Sequence, residues 1–162
     1  MTQLSTSKIP DGFAEKTARA NGITLNYAMG GAGPTVVLLH GYPQTWYMWR
    51  KVMPALAGHY TVIAPDLRGS GGSDAPAGGY DKATLAEDIR QLLLAMGRTD
   101  QVSLVGHDIG TTVSYAYAAA HPGFSAPPGA AGGSSVRRDA LSVPRDYPRG
   151  SRLLELRLLH AG

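Results

Sequence analysis

The chain has 162 residues, 43% of them hydrophobic, no cysteine, and a formal net charge of +3. This length provides one hydrophobic core, and the lack of cysteine excludes a disulfide framework, a thiolate metal site and a cysteine nucleophile. Residues 1–122 carry nine basic and nine acidic side chains, so the excess lies in residues 123–162, where six arginines face three acids. These arginines are scattered among glycine, proline, alanine and serine, which does not match a nucleic-acid surface.

The sequence shows no feature that predicts a membrane partner. Residues 1–12 are polar and lack the basic and apolar regions of a signal peptide. No apolar run of the sequence reaches the length that spans a bilayer. We therefore expect a cytoplasmic protein that binds neither nucleic acid nor membrane.

The first half of the chain predicts a hairpin, a buried strand and a helix, in that order. Residues 18–30 alternate around Asn21-Gly22, a dipeptide typical of a two-residue hairpin turn. After a break at several glycines, Thr35–Leu39 is a continuous apolar run of the kind found in parallel sheets. The helical spacing of two tryptophans, a methionine and a leucine predicts a helix over residues 46–56.

The second half continues the alternation of strands and helices. Residues 60–64 form the next predicted strand, and residues 84–96 form an amphipathic helix that ends at a glycine. Residues 102–105 are a further apolar strand, and a helix follows over Ile109–Ala120. Because the elements alternate, we predict an α/β fold with right-handed crossovers and a mostly parallel sheet flanked by helices.

The junction between the last predicted strand and the last predicted helix reads Gly106-His107-Asp108-Ile109-Gly110. Small residues around a sharp strand-to-helix turn are typical of a nucleophile elbow, which raises one reactive side chain among backbone N–H groups. The same pattern also fits a helix N-terminus with Asp108 as its N-cap and no chemistry. As a nucleophile, an aspartate is already ionised at neutral pH and attacks carbon without a base, which favours displacement at saturated carbon.

Two further loops follow the first two strands of the predicted parallel sheet. His40-Gly41-Tyr42-Pro43 follows one strand, and the glycine-rich residues 66–74 follow the other. Because the carboxyl ends of parallel strands meet at one edge of a sheet, all three loops lie where α/β sheets bind ligands. The glycine-rich loop lacks the third glycine of a dinucleotide fingerprint, and no Gly-Lys-Ser/Thr follows it, so we expect no nucleotide cofactor.

The three motifs, in this order, resemble the α/β-hydrolase family over residues 22–122. Within it they resemble the epoxide hydrolases and the haloalkane or fluoroacetate dehalogenases that use an aspartate nucleophile. The resemblance implies that Asp108 attacks a small apolar epoxide or halide to form an alkyl-enzyme ester, without cofactor or metal. It also implies that the backbone N–H groups of Tyr42 and Ile109 form the oxyanion hole when water cleaves this ester. Dehalogenases of this branch resemble one another in having a Trp or Arg after the nucleophile, which holds the halide or carboxylate. Ile109 stands at this position here and offers only its backbone, which favours an epoxide substrate.

The resemblance also requires a histidine that activates the water and an acid that orients this histidine. We expect His40 and His107 to hydrogen-bond their own loops, and His59 and His121 to flank helix ends. His160 follows the elbow helix, but no predicted strand precedes it. None of the five histidines therefore has the sequence context of the base.

Residues 123–162 lose the alternation and become rich in glycine, proline and arginine. We interpret residues 1–122 as the N-terminal part of an α/β-hydrolase domain, truncated after the elbow helix, and residues 123–162 as a disordered or out-of-frame tail. The strand at residues 102–105 then lies at a sheet edge, which favours self-association. The chain alone is expected to be inactive. A hydrolase completed by a base from elsewhere, a remnant without turnover and a non-catalytic binding module all remain open.

Overall fold

The computed structural model describes residues 9–100 and 102–121, which form one sheet with apolar clusters on both faces. The strands are Phe13–Ala20 (β1), Ile23–Gly30 (β2), Thr35–Leu39 (β3), Thr61–Pro65 (β4) and Val102–Gly106 (β5). The helices are Met53–Ala57 (α1), Lys82–Ala95 (α2) and Ile109–Ala120 (α3), with a 3-10 helix at Trp46–Trp49. The predicted tail at residues 123–162 lies outside the described residues.

The strand order in the sheet is β1-β2-β4-β3-β5. β3 pairs in parallel with both β4 and β5, whereas β2 pairs antiparallel with β1 and β4. The sheet is therefore mixed: the predicted parallel part consists of three strands, and the N-terminal hairpin adds two antiparallel ones. The carboxyl ends of the three parallel strands meet at one edge, which brings the three predicted ligand loops together.

The predicted hairpin is present, with its turn at the predicted dipeptide. Asn21 has φ 48° and Gly22 has φ 80°, as a two-residue turn that matches the twist of its strands requires. β1 begins five residues before the predicted start, at Phe13. Residues 14–17 are all exposed and so show no apolar alternation, and only their pairing with β2 makes them a strand.

The continuous apolar run of β3 is explained by burial on both of its faces. Val37 and Leu39 belong to the cluster that α2 and α3 cover. Val36 and Leu38 belong to the opposite cluster, which the 3-10 helix and α1 cover with Trp46 and other side chains. Since successive side chains of a strand point to opposite faces, a strand buried on both sides has no polar positions.

The helix predicted over residues 46–56 is wrong in its continuity, because it is split into the 3-10 helix and α1. The cause is Pro54, which has no N–H to donate to the carbonyl of Arg50, as an unbroken helix would require. α2 begins two residues before the predicted start, because the Asp81 carboxylate caps it by accepting the Thr84 N–H at 3.0 Å. It ends as predicted before Gly97, which has φ 64°.

β5 forms one edge of the sheet that the described residues build, since β3 is its pairing partner. Its three central residues, at 103–105, are half-buried. This position agrees with the predicted edge strand. Within residues 9–100 and 102–121, no helix is both long and apolar enough to cross a membrane.

Candidate active site

The turn between β5 and α3 has the backbone geometry of a strained elbow. Asp108 has φ 51° and ψ −117°, a backbone conformation that residues other than glycine rarely adopt. A Cβ added at Gly106 would overlap the carbonyl group of Gly110, and one added at Gly110 would overlap the carbonyl oxygen of Leu39. The two glycines are therefore needed for the close approach of β5, α3 and β3. Asp108 does not cap α3 with its side chain, which argues against the N-cap reading.

The Asp108 carboxylate is exposed and is held by backbone N–H groups. Its Oδ2 accepts the Tyr42 N–H at 3.0 Å. Hydrogen bonds from the Tyr42 N–H and then from the Ile109 N–H lower the pKa of Asp108 below its ordinary value. A Cβ at Gly41 would lie 2.9 Å from Oδ2, so a glycine lets the two loops approach each other. The carboxylate is accordingly ionised at neutral pH.

The structure thus brings together the three residues that the sequence singled out. The N–H groups of Tyr42 and Ile109, expected to stabilise an oxyanion, converge on the carboxylate of Asp108 itself. Tyr42 contacts Asp108 through its backbone N–H, and its side chain is 77% exposed. The neighbouring Trp46 and Trp49 are buried in the core and pack there.

His40 has the structural role that the sequence predicted. It is buried, its Nε2 accepts the Leu67 N–H at 2.9 Å, and its Nδ1 lies 2.8 Å from the carbonyl oxygen of Gly41. Since Nε2 accepts, the proton is on Nδ1, which donates to that carbonyl. Burial lowers the pKa of His40, so the ring is neutral at pH 7.

Asp66 is a functional candidate that sequence reasoning missed. This buried carboxylate accepts the Trp46 N–H at 2.7 Å through Oδ1, and the Asn26 side-chain amide and the Gly72 N–H at 2.9 Å each through Oδ2. It therefore joins the loop after β3 to the loop after β4 and to β2. Its position directly after an apolar strand was the available signal, because a carboxylate there faces the N–H groups of neighbouring loops.

A buried ion pair lies beneath the loop after β4. The Arg68 guanidinium donates to both carboxylate oxygens of Asp88 on α2, at 2.6 and 2.8 Å, and the two side chains are 7% and 1% exposed. The side-chain amide of Asn21, in the hairpin turn, donates to the same carboxylate at 2.7 Å. Three separate segments of the chain therefore meet at Asp88.

No described histidine hydrogen-bonds to Asp108. His107 Nδ1 is buried without a hydrogen-bond partner among the described residues, so the expected bond to its own loop is not found at this atom. His59 is exposed after α1, and His121 lies 3.7 Å from Glu87 at the end of α3. His160 lies outside the described residues. Across residues 9–100 and 102–121, no group of three or more potential metal ligands is found.

Comparisons with known proteins show the family of the chain. Residues 34–126, more than half of the chain, match the family described as alpha/beta hydrolase fold. A soluble epoxide hydrolase of Corynebacterium sp. is 50% identical over 101 residues, which are 62% of this chain and 35% of that protein. A fluoroacetate dehalogenase of Burkholderia sp. is 41% identical over 117 residues, covering 69% of this chain and 38% of that protein.

A solved structure extends the similarity to the fold. The epoxide hydrolase CorEH without ligand matches with a TM-score of 0.64 and 48% identity, over 65% of this chain and 37% of that one. The chain therefore spans 35 to 38% of the length of these relatives.

Proposed function

The chain belongs to the α/β-hydrolase family, and we propose that Asp108 is the nucleophile of an epoxide-hydrolase-like reaction. The observation that carries this proposal is the strained backbone of Asp108, at φ 51° and ψ −117°, which presents an exposed, ionised carboxylate to solvent. Strain at a residue that other structure holds in place is typical of functional sites. An N-cap aspartate would need neither the positive φ nor the contact with Tyr42.

In the first step, Asp108 opens the epoxide ring. While Oδ2 holds the Tyr42 N–H at 3.0 Å, Oδ1 attacks a ring carbon and forms the ester bond. The carbon–oxygen bond of the ring breaks, its electron pair remains on the ring oxygen, and this alkoxide takes a proton from water. The product is an alkyl-enzyme ester.

In the second step, water cleaves this ester. Water adds to the ester carbonyl carbon, and the carbonyl oxygen becomes negative beside the N–H groups of Tyr42 and Ile109, which stabilise it. The water gives one proton to a base, and collapse of the intermediate breaks the bond to the alkyl oxygen, which takes that proton and leaves as the diol. The remaining carboxylic acid loses its proton to solvent, which restores the carboxylate. The step needs a base, and no described histidine bonds to Asp108 to serve as one. We therefore expect the first step without sustained turnover by the chain alone.

Displacement of a halide is the second candidate reaction, favoured by the 41% identity to the fluoroacetate dehalogenase. Asp108 would then attack the carbon that bears the halogen and release a halide ion. Ile109 follows the nucleophile and offers the leaving group no side-chain donor. An apolar epoxide therefore remains the preferred substrate. A non-catalytic binding module would need the residues around Asp108 but not its carboxylate.

Intact-mass spectrometry of the chain incubated with styrene oxide tests the proposal. We expect a mass increase equal to the whole epoxide, its loss in Asp108→Asn, and its retention in Asp74→Asn, an exposed acid of another loop. With a haloacetate, the increase would equal the acid less hydrogen halide. An adduct that survives Asp108→Asn contradicts the proposed nucleophile. Sustained diol formation contradicts the absence of turnover, and saturable binding that survives Asp108→Asn without any adduct supports the binding module.

A further inference from the structure

Two buried side chains fix the ends of the loop at residues 40–46, which carries Tyr42. At its start, the 1% exposed His40 accepts the Leu67 N–H through Nε2 at 2.9 Å. At its end, the 1% exposed Asp66 accepts the Trp46 N–H through Oδ1 at 2.7 Å. Both bonds join this loop to the residues that follow β4.

The centre of the same loop has two hydrogen bonds of its own. The Gly41 N–H donates to the Gln44 side chain at 3.3 Å, and the Gln44 N–H donates to the carbonyl of Gly41 at 2.9 Å. The Tyr42 side chain is 77% exposed, so packing does not anchor it. The position of the Tyr42 N–H therefore depends on how the two ends of the loop are held.

We infer that Asp66 and His40 are positioning residues that hold the Tyr42 N–H against the Asp108 carboxylate. This inference rests on the proposed role of Asp108 as nucleophile. Neither side chain hydrogen-bonds to Asp108, and both act through the backbone of the loop. Release of either end lets the Tyr42 N–H move away from the place where charge develops during ester cleavage.

The Asp66→Asn substitution tests the end of the loop with little change in side-chain volume. The native carboxylate receives backbone N–H groups at both oxygens, from Trp46 at Oδ1 and from Gly72 at Oδ2. An asparagine presents one oxygen and one NH2 group. With its NH2 group at the place of Oδ1, the asparagine leaves the buried Trp46 N–H unsatisfied. With that group at the place of Oδ2, it leaves the partly buried Gly72 N–H without its acceptor.

The pKa of Asp108 distinguishes loss of the Tyr42 hydrogen bond from loss of charge at residue 66, because the two changes shift this pKa in opposite directions. Loss of a negative charge at residue 66 can only lower the pKa of Asp108, since it removes repulsion of its ionised form. Loss of the Tyr42 N–H raises that pKa, because this bond is the main cause of its lowering. His107 and Lys82, the ionisable groups that also lower it, stay unchanged in the variants.

The experiment is a carbon-13 NMR titration of the carboxyl groups in the 162-residue chain, combined with hydrogen exchange of the amides. The variants are Asp66→Asn and His40→Phe. The second substitution keeps an aromatic ring but removes both ring nitrogens. Asp74→Asn is the matched control, because this exposed acid follows β4 as Asp66 does but accepts the Thr24 N–H at 2.7 Å and not an N–H of the loop at 40–46.

We expect the Asp108 pKa to rise toward its ordinary value in Asp66→Asn and in His40→Phe but not in Asp74→Asn. Exchange of the Tyr42 amide should accelerate roughly tenfold or more, as for the loss of a hydrogen bond to a charged group. Protection of the β3 amides shows that a variant is folded. A folded variant whose Asp108 pKa falls or stays constant overturns the inference, when it is His40→Phe or an Asp66→Asn variant whose Trp46 amide exchange has accelerated.

The unmutated chain gives a second test that needs no folded variant. If the two ends hold the loop, the amides of Tyr42, Trp46 and Leu67 become exposed in one opening and exchange at similar rates. A Tyr42 amide that exchanges like a free amide while the other two are protected also overturns the inference. Both readouts are independent of alkylation, so failure of Asp108 to form an adduct counts against the proposed nucleophile alone.

Discussion

Removal of Asp88 should destabilise the fold more than removal of any exposed acid of α2. The Asp88 side chain is 1% exposed and binds both Nη2 and Nε of Arg68, at 2.6 and 2.8 Å. The Asp88→Ala variant leaves the guanidinium buried without its carboxylate, and also frees the Asn21 amide. Breaking a buried pair in this way costs about 3 to 5 kcal/mol.

This cost is a large part of the total stability, which is roughly 5 to 15 kcal/mol for an ordinary domain. For a urea dependence of about 2 kcal/mol per molar, the unfolding midpoint should fall by roughly 2 M. Glu87→Ala is the control on the adjacent position of α2, because the Glu87 side chain is 37% exposed and lies 3.7 Å from His121. An exposed pair contributes less than about 1 kcal/mol.

The assay is urea unfolding followed by circular dichroism, with equal slopes for all variants. The double variant Asp88→Leu with Arg68→Met separates loss of the pair from loss of packing. We expect it to be more stable than Asp88→Ala, because no uncompensated charge remains. Equal midpoints for Asp88→Ala and Glu87→Ala would refute the reasoning, and a less stable double variant would refute the explanation by an unpaired charge.

Three further predictions concern the site and the sheet edge. Because the folded pKa of Asp108 is lowered, its alkylation by styrene oxide, measured by intact mass, should slow as the pH falls with a midpoint below the ordinary aspartate pKa of about 3.9. A midpoint above that value contradicts this. In Gly41→Ala the new Cβ would lie 2.7 Å from the Cβ of Asp108 and push the two loops apart. Alkylation should therefore be slower while the melting transition is kept, and an unchanged rate would show that the loops tolerate this separation. Ser103→Lys on β5 should shift the sedimentation profile toward monomer, whereas Thr17→Lys on the already charged β1 should not; equal profiles exclude pairing through β5.

The elements that the sequence predicted with correct bounds are those whose signals are local. Thr35–Leu39 follows Gly33-Pro34 and is apolar after Thr35, and Ile109–Ala120 begins directly after Asp108 and is followed by His121-Pro122. In both cases the residues that mark the boundaries of the element stand next to it in the sequence. The helical spacing at residues 46–56 described the buried positions correctly, but Pro54 decides that the backbone is split.

The contacts that the sequence did not reveal join residues far apart in the chain. Asp66 bonds to Trp46 and Asn26, 20 and 40 positions away, and no periodicity reports such a pairing. The position of Asp88 in the sequence does indicate its burial. It lies three residues after Leu85 and four before Leu92, on the buried face of α2. A carboxylate on such a stripe requires a buried cation, and Arg68 supplies it.

The chemistry of the proposed nucleophile separates the two steps of the proposed reaction. A serine at the elbow needs a histidine for its first step, whereas a carboxylate with a lowered pKa is already ionised and needs none. The backbone N–H groups of Tyr42 and Ile109 stabilise the negative charge of the resting carboxylate and, in the proposed reaction, that of the later tetrahedral intermediate. In the proposed reaction, the first step would need only groups within β3, β5, α3 and their loops. The base would enter only at ester cleavage, so we expect formation of the ester and its hydrolysis to be separable.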